Sequence, residues 1–458
     1  MLSKISNRTI YDICILGSGI SGIFLAYTLA QGNNRKILMI EKGKKFEERV
    51  CPIEYKINNK CINCKICSRI QGFGGLGRSE GKFNYTNDFG GSLNEKIGDE
   101  LSLKLMNMVD EILCKFGADK IDLYNTENEK LKNIAKENGF EILTTKTRHL
   151  GTKLSYEIVQ KMYTHLKDKI DIICETEINR ITKSKDIFIL SNNDICIKSK
   201  NVVLAMGTSG KDKFKNYCEE FKIDYGKARV DIGIRVEMKR KQLDDILKYS
   251  KETKIHYKCK DYEAFTYCMN PNGRVIKKYQ NNMVMADGQN CNEVDNPTSN
   301  LNFTVFVPRY FNSKEESIIY VKTMLSSINK NKDRIIVQRL KDLLNNKVTT
   351  MDILNKNTVK PTLKADGCNL YNEIPKIYID GILSIFKCIE KMTGKSIEED
   401  TLLYGVDVKL YEPEVSTNKY FETKEKGLYI IGDCSGTTYS LSQAAASGIY
   451  LGRNLLGH

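Results

Sequence analysis

Residues Tyr11 to Leu16 form a short apolar run, YDICIL, that stops at a glycine. Such a run suits a strand buried on both faces of a parallel sheet. Gly17-Ser18-Gly19-Ile20-Ser21-Gly22 follows, and then IFLAYTLAQ, whose apolar positions recur at helical spacing until Gly32. A second strand-like run, Lys36 to Ile40, ends in Glu41. Between Asp171 and Asn201, DIICETEINRI, DIFILS and DICIKS read as alternating short strands leading into Val202–Gly207. The middle of the chain mixes strand-like VDIGIRVEM and NFTVFVP with amphipathic ESIIYVKTMLSSI and YIDGILSIFKCIEKM, an α+β pattern. Near the end, Gly427 to Asp433 reads as one more buried strand, and Ser442-Gln443-Ala444-Ala445-Ala446-Ser447-Gly448 opens a helix to about Leu456.

The first of these patterns carries chemistry. Strand, glycine turn, helix, strand and acid within about 30 residues is the context that gives a Gly-x-Gly-x-x-Gly pattern meaning. Gly17 permits the tight turn, Gly19 lets the backbone approach a pyrophosphate, and Gly22 lets helix and strand pack closely. The helix amino terminus offers free N–H groups and a positive dipole end to phosphates. Glu41 accepts hydrogen bonds from ribose hydroxyls, and Ser18, Ser21 and Lys42 join the expected set of dinucleotide-contacting residues. Either NAD or FAD satisfies this segment.

The far end decides between them. Asp433 is delivered at the carboxyl end of a strand, where ligands sit in an open α/β sheet. The helix after Ser442 aims its amino terminus at whatever Asp433 holds. This pairing resembles flavoproteins with a glutathione-reductase-like FAD domain, in which the aspartate binds the ribityl chain and the helix points at the flavin. The resemblance implies FAD contacts at Gly432, Asp433, Ser442, Gln443 and Ala444. It implies others at Ala205 and Gly207, where those families place an Ala-x-Gly strand end. No second Gly-x-Gly-x-x-Gly opens a strand–helix unit in mid-chain, so a dedicated NAD(P)H domain is not expected.

Cys51, Cys61, Cys64 and Cys67 form C-x9-C-x2-C-x2-C ahead of Gln71-Gly72-Phe73-Gly74-Gly75-Leu76-Gly77-Arg78-Ser79. Two-residue spacing lets successive thiolates face one ion or cluster. The readings are a [4Fe-4S] cluster, zinc, redox-active thiols, or structural thiols without a ligand. The glycine-rich loop that follows is expected to line the flavin through Gly74 and Gly75. A cluster there would pass electrons between a ferredoxin-like or other donor and FAD.

These stretches together resemble a broad family of bacterial and archaeal proteins described as FAD-dependent dehydrogenases whose substrate is unassigned. The resemblance spans almost the whole chain. It rests on GSGISG, on CINCKIC with GFGGLGRSEGK, and on Arg148-His149-Leu150-Gly151-Thr152. It continues through Val230–Glu237, Phe265–Pro271, Val337–Leu340 and Leu403–Val406 to the Gly-Asp and SQAAASG ending. Three positions depart from the family pattern: Glu80 for aspartate, Asn270 for a second cysteine, and Lys153 for aspartate. All three fall in segments expected on the substrate side.

The expected architecture is α/β, a Rossmann-like FAD-binding domain assembled from both chain ends with an inserted α+β substrate or cap domain. The segments are 1–90 with the cysteine-rich loop, a helical 91–160, the β-meander and return strand 161–225, the cap 226–400 and the closing 401–458. For catalysis the candidates are His149, Cys268, Arg78 and Lys82. His149 is one of four histidines and able to move a proton near neutral pH. Cys268 precedes the Asn270-Pro271-Asn272-Gly273 turn. Arg78 and Lys82 suit phosphates or a substrate carboxylate.

Composition adjusts this picture little. The 458 residues are 41% hydrophobic and 28% charged, ordinary for a globular protein. No stretch approaches the roughly 20 apolar residues of a bilayer span, and Ile13 to Leu16 breaks into glycines too soon for a signal peptide. A cytoplasmic protein is expected, and with fifteen cysteines, an odd count, no disulfide framework. The net charge of +14 is spread among acids rather than clustered, which disfavours nucleic acid. The expected function is transfer of hydride or electrons between flavin and an organic substrate. The alternatives are a flavin-dependent RNA-modifying enzyme and a non-catalytic redox sensor.

Overall fold

The computed structural model describes residues 9–32, 35–52, 57, 62, 64–248, 253–267, 269–280, 283–290, 297–330 and 333–457. The chain divides into two compact units. The first comprises Met1–Asn125, Thr145–Gly226 and Glu412–His458; the second, Thr126–Thr144 and Lys227–Tyr411.

The first unit is built on five parallel strands. Ile10–Leu16 lies between Ile37–Ile40 and Cys196–Leu204, with Leu16 opposite both Ile40 and Leu204. Asp171–Ile173 extends the sheet beyond Ile37–Ile40, and Leu428–Ile430 pairs with Val202–Leu204. Residues 428 to 430 thus lie two strands from residue 16, which joins the chain's two ends in one sheet. Antiparallel strands Arg180–Ser184 and Ile187–Ser191 pair with the first half of Cys196–Leu204. The apolar runs are continuous because helices cover both faces. The helices Ile20–Leu29 and Leu441–Leu456 pack on one face with Ile13, Ile15 and Val203. Phe214, Tyr217 and Cys218 of the helix Lys211–Glu220 pack on the other with Cys14, Val202 and Leu204. Ile20, Ile23, Phe24, Leu25 and Leu29 are buried along the first helix, worth roughly 2 kcal/mol each in area removed from water.

The second unit is a nine-stranded sheet whose centre is Ala228–Lys239 between Asn300–Phe311 and Leu402–Leu410, all antiparallel. Val230, Ile232, Ile234 and Val236 alternate onto one face, where they pack with the helices Lys314–Asn329 and Lys376–Thr393. Asp231, Gly233, Arg235 and Glu237 occupy the other face by the same period-2 rule. The strand Glu141–Leu143 joins this sheet through Lys254–Lys258, which ties the segment 126–144 into the unit. Among the described residues, no helix is long and apolar enough to cross a membrane.

Candidate cofactor site

The carboxyl ends of the parallel strands open onto a cavity of about 180 Å³ within the first unit. Its lining comes from the glycine turn at Gly17 and Gly19 to Ser21, from Ile40 to Lys42, from Ile70 to Gly72 and Gly75 to Gly77, from Thr176 to Ile178, from Ala205 to Gly207, and from Asp433, Ser440, Leu441 and Ala444. Both chain ends therefore contribute to one wall.

The glycine turn has three distinct geometries. Gly17 has φ +105°, and a side chain there would lie 2.3 Å from the Ala205 carbonyl oxygen. At Gly22 an added Cβ would lie 2.3 Å from the Gly17 oxygen, so the helix packs against its own turn. Gly19 differs: its φ is −70°, and an added Cβ would meet nothing within 4 Å. Gly19 caps the helix without any side-chain cap. Unpaired N–H groups at a helix start beside open space suit an anion.

Glu41 is buried, and its two oxygens are well supplied. Oε2 accepts from the Ser18 amide (3.0 Å) and hydroxyl (2.7 Å). Oε1 accepts from the amides of Gly43 (2.8 Å) and Gly72 (3.1 Å). The carboxylate thus ties the glycine turn to the loop at Gly72, and a ribose hydroxyl would share an oxygen with these donors. Ser18 is spent on Glu41, whereas Ser21 lines the cavity. Lys42 also lines it, 3.2 Å from Glu177, which lies on the same wall.

At the other chain end, Gly432 (φ +71°) leaves no room for a Cβ against the Ser21 hydroxyl, 2.4 Å away. Asp433 follows, its carboxylate accepting from a single protein partner among the described residues, the Thr438 hydroxyl at 3.0 Å. Burial raises its carboxyl to about 7, and the Thr438 bond offsets this only in part. A half-buried carboxyl with spare acceptor capacity facing a cavity calls for hydroxyl or N–H donors from a ligand. Ser440 caps the helix Leu441–Leu456, its hydroxyl accepting from the Gln443 amide at 3.3 Å. Ala444 reaches the cavity, while Ser442 is fully buried with its hydroxyl unpartnered among the described residues. Gln443 is engaged elsewhere: its amide donates to the carbonyls of Thr86 and Phe89 and accepts from the Leu93 amide. Ala205 and Gly207, the latter at φ +58°, line the facing side.

The glycine-rich loop lies directly on the turn. The Gly74 amide donates to the Ser18 carbonyl (2.9 Å), and a Cβ on Gly75 would stand 3.1 Å from Gly19 Cα. Gly75 lines the cavity and Gly74 lies behind it. The loop is held by Arg49, almost fully buried, whose guanidinium donates to the carbonyls of Ser68, Arg69, Phe73 and Gly75. Sequence reasoning missed this clamp, because Arg49 looks like any charged residue near the surface.

Cys61 and Cys268 lie outside the described residues. Of the other cysteines in the cluster, Cys64 is exposed and Cys51 and Cys67 are part-buried. Among the described residues, no three His, Cys, Asp or Glu side chains come together as a metal site.

Three candidates for catalysis stand away from the cavity. Arg78 donates to the Arg49 carbonyl (2.6 Å) and lies over the rings of Tyr156 and Phe46, at 5.0 and 5.7 Å. Lys82 pairs with His149 across a small antiparallel sheet. His149 Nε2 sits 3.0 Å from Glu80 Oε1 without a directed hydrogen bond. None of these three side chains lines the cavity.

Residues 229–409, within the second unit and less than half of the chain, match a family model described as FAD-dependent protein, C-terminal domain-like. No curated protein matches the sequence. Loosely similar solved structures include an aromatic hydroxylase from angucycline biosynthesis (10% identity, TM-score 0.38, covering 98% of this chain). This chain spans 62% of that hydroxylase's length. Glycine oxidase from Geobacillus kaustophilus is 11% identical at TM-score 0.38, over 98% of this chain and 94% of its own. The p-nitrophenol 4-monooxygenase PnpA from Pseudomonas putida DLL-E4 is 8% identical at TM-score 0.37, over 98% and 79%.

Proposed function

We propose that this chain is an FAD-dependent oxidoreductase that exchanges hydride or electrons with an organic substrate. The observation that carries the reading is Asp433, a half-buried carboxyl with one protein partner among the described residues, facing a cavity that two helix amino termini adjoin. The family matched over residues 229–409 supports the choice of cofactor.

The residues divide the work. The uncapped helix start at Gly19 binds a pyrophosphate, with Gly19 leaving room for its approach. Glu41 holds the turn against Gly72 and offers its oxygens to ribose hydroxyls. Asp433 accepts hydrogen bonds from the hydroxyls of the ribityl chain, and the negative charge it then carries is stabilised by those donors. The amino terminus of Leu441–Leu456 places a positive dipole end at the cavity, which favours negative charge there. Ile40, Ile70, Leu76, Ile178 and Leu441 supply apolar wall and exclude water. Bound FAD supplies two-electron and one-electron redox chemistry, which no side chain of this set provides.

The test is the absorption spectrum of the purified protein, with the released flavin identified after acid denaturation. Flavin bands and free FAD in the supernatant are expected. Colourless protein that also fails to quench the fluorescence of added FAD would overturn the reading.

A further inference from the structure

Gln443 stands in the first turn of the helix Leu441–Leu456 and is fully buried. A buried glutamine loses side-chain freedom and costs free energy unless both ends of its amide are paired. Here both are. Its Nε2 donates to the carbonyls of Thr86 (3.2 Å) and Phe89 (3.3 Å), and its Oε1 accepts from the Leu93 amide (3.3 Å). These partners span the connection between the strand Lys82–Tyr85 and the helix Leu93–Ile97, at least 350 residues away in sequence.

That connection is shaped to fit. Gly90 (φ +91°) and Gly91 (φ +136°) adopt backbone that other residues rarely reach. A Cβ on Gly91 would lie 2.4 Å from Gln443 Oε1, and one on Gly90 would lie 2.8 Å from Ser440 Oγ. Main-chain bonds complete the contact. The Tyr439 amide donates to the Gly90 carbonyl and the Ser92 amide to that of Thr437, both at 2.8 Å, and Gly91 bridges Thr438.

The segment held in this way forms part of the cofactor site. Thr438 donates to Asp433, and Ser440 caps the helix. Asp433, Ser440, Leu441 and Ala444 line the cavity, whereas Gln443 and residues 86–93 stand behind that lining. A helix dipole acts over about one turn, so its effect in the cavity depends on where the helix start is held. The turn at Gly19 and Glu41 is held separately, through Ser18, Gly43 and Gly72.

On the FAD reading above, we propose that Gln443 is a positioning residue that fixes the amino terminus of Leu441–Leu456 at the cavity and thereby raises the reduction potential of bound FAD. A positive dipole end favours the more negative, reduced state of the flavin over the oxidised one.

The experiment measures the potential of FAD in the full-length holoprotein by equilibration with a reference dye, and the affinities of flavin-free protein for FAD and ADP by calorimetry. Gln443→Met keeps the volume and removes the amide. Its two-electron reduction equilibrium is expected to fall at least about threefold, or about 14 mV. FAD should bind at least about fivefold more weakly, while ADP, which carries only the diphosphate end, stays within about twofold of wild type. Gly91→Ala pushes on Gln443 from the loop and is expected to lower the potential too; it decides the matter if Gln443→Met does not fold. Tyr404→Phe, in the second unit, controls for lost stability alone and should keep the wild-type potential. An unchanged potential in the folded variant would overturn the proposal, as would an equal shift in Tyr404→Phe or an equal loss of ADP affinity. Wild type that binds no FAD would overturn the FAD reading as well, whereas wild type that binds FAD beside a silent Gln443→Met overturns this proposal alone.

Discussion

Asp433→Asn separates what the fold wants at this position from what a ligand wants. The Asp433 carboxyl is raised from 3.8 to about 7 by burial. At 1.36 kcal/mol per pH unit this is a penalty of about 4 kcal/mol for keeping the ionised form in the folded chain. The figure is a ceiling, since the carboxyl opens onto the cavity and water there screens it. The sign follows from linkage. A folded value above the unfolded one means stability that is complete below about pH 4 and lost as pH rises through about 7. Asparagine keeps an acceptor for Thr438 and cannot ionise. In flavin-free protein, Asp433→Asn is therefore expected to match wild type near pH 4 and to exceed it near pH 8 by up to about 4 kcal/mol. Urea denaturation of both proteins across that range measures the difference, and other titrating groups cancel in the subtraction. The same substitution is expected to weaken FAD binding, a trade between stability and function at one side chain. Parallel pH profiles for the two proteins would refute the reasoning, because Asp433 would then be as well solvated folded as unfolded.

Other consequences follow from particular contacts. Arg49→Met leaves four carbonyls without their guanidinium donor, at roughly 1–3 kcal/mol for each buried group. Trypsin is expected to cut at Lys65 and Arg69 faster than in wild type, as judged by mass spectrometry of the fragments. His256 lies 3.1 Å from Glu263 and 3.0 Å from Glu141, and the Glu263 bond, with Glu141, raises its pKa above 6.5 against burial. Its contribution is complete below pH 6.5 and lost as pH rises through the folded value. Amide exchange in Glu141–Leu143, corrected for intrinsic rates, should therefore quicken over that interval in wild type and stay flat in His256→Gln. Tyr404→Phe removes one donor from buried Glu237 and should cost roughly 1–3 kcal/mol in thermal stability.

How far the sequence could be read depended on the range of each signal. The Gly17–Gly22 turn and the adjoining strands are local, and periodicity with glycine spacing specifies them within a few residues. The partnership of residues 428–433 with this turn is long-range, yet legible, because an aspartate ending an apolar run is informative about a sheet edge. The roles of Arg49 and Gln443 were not legible, since both act by hydrogen bonds to backbone carbonyls distant in sequence. Arg78 and Lys82 stand at or beside the glycine-rich loop in sequence, yet neither they nor His149 lines the cavity. The attachment of 126–144 to the second unit comes from one short edge strand and from Leu131, Ala135 and Phe140 packing into that unit's core, contacts that no local pattern encodes.

The central claim is that both chain ends hold one FAD, and Gly19→Thr tests it most directly. Threonine is a favoured helix cap, φ at this position is −70°, and the added Cβ meets nothing within 4 Å, so the fold should persist. The side chain would occupy the space assigned to the pyrophosphate. Titration of flavin-free protein with FAD, followed by fluorescence quenching, is predicted to give one equivalent bound per wild-type chain. In Gly19→Thr, at unchanged thermal stability, binding should be at least about a hundredfold weaker, equivalent to about 2.7 kcal/mol. Equal affinity in the folded variant, or no binding to wild type, would contradict the account.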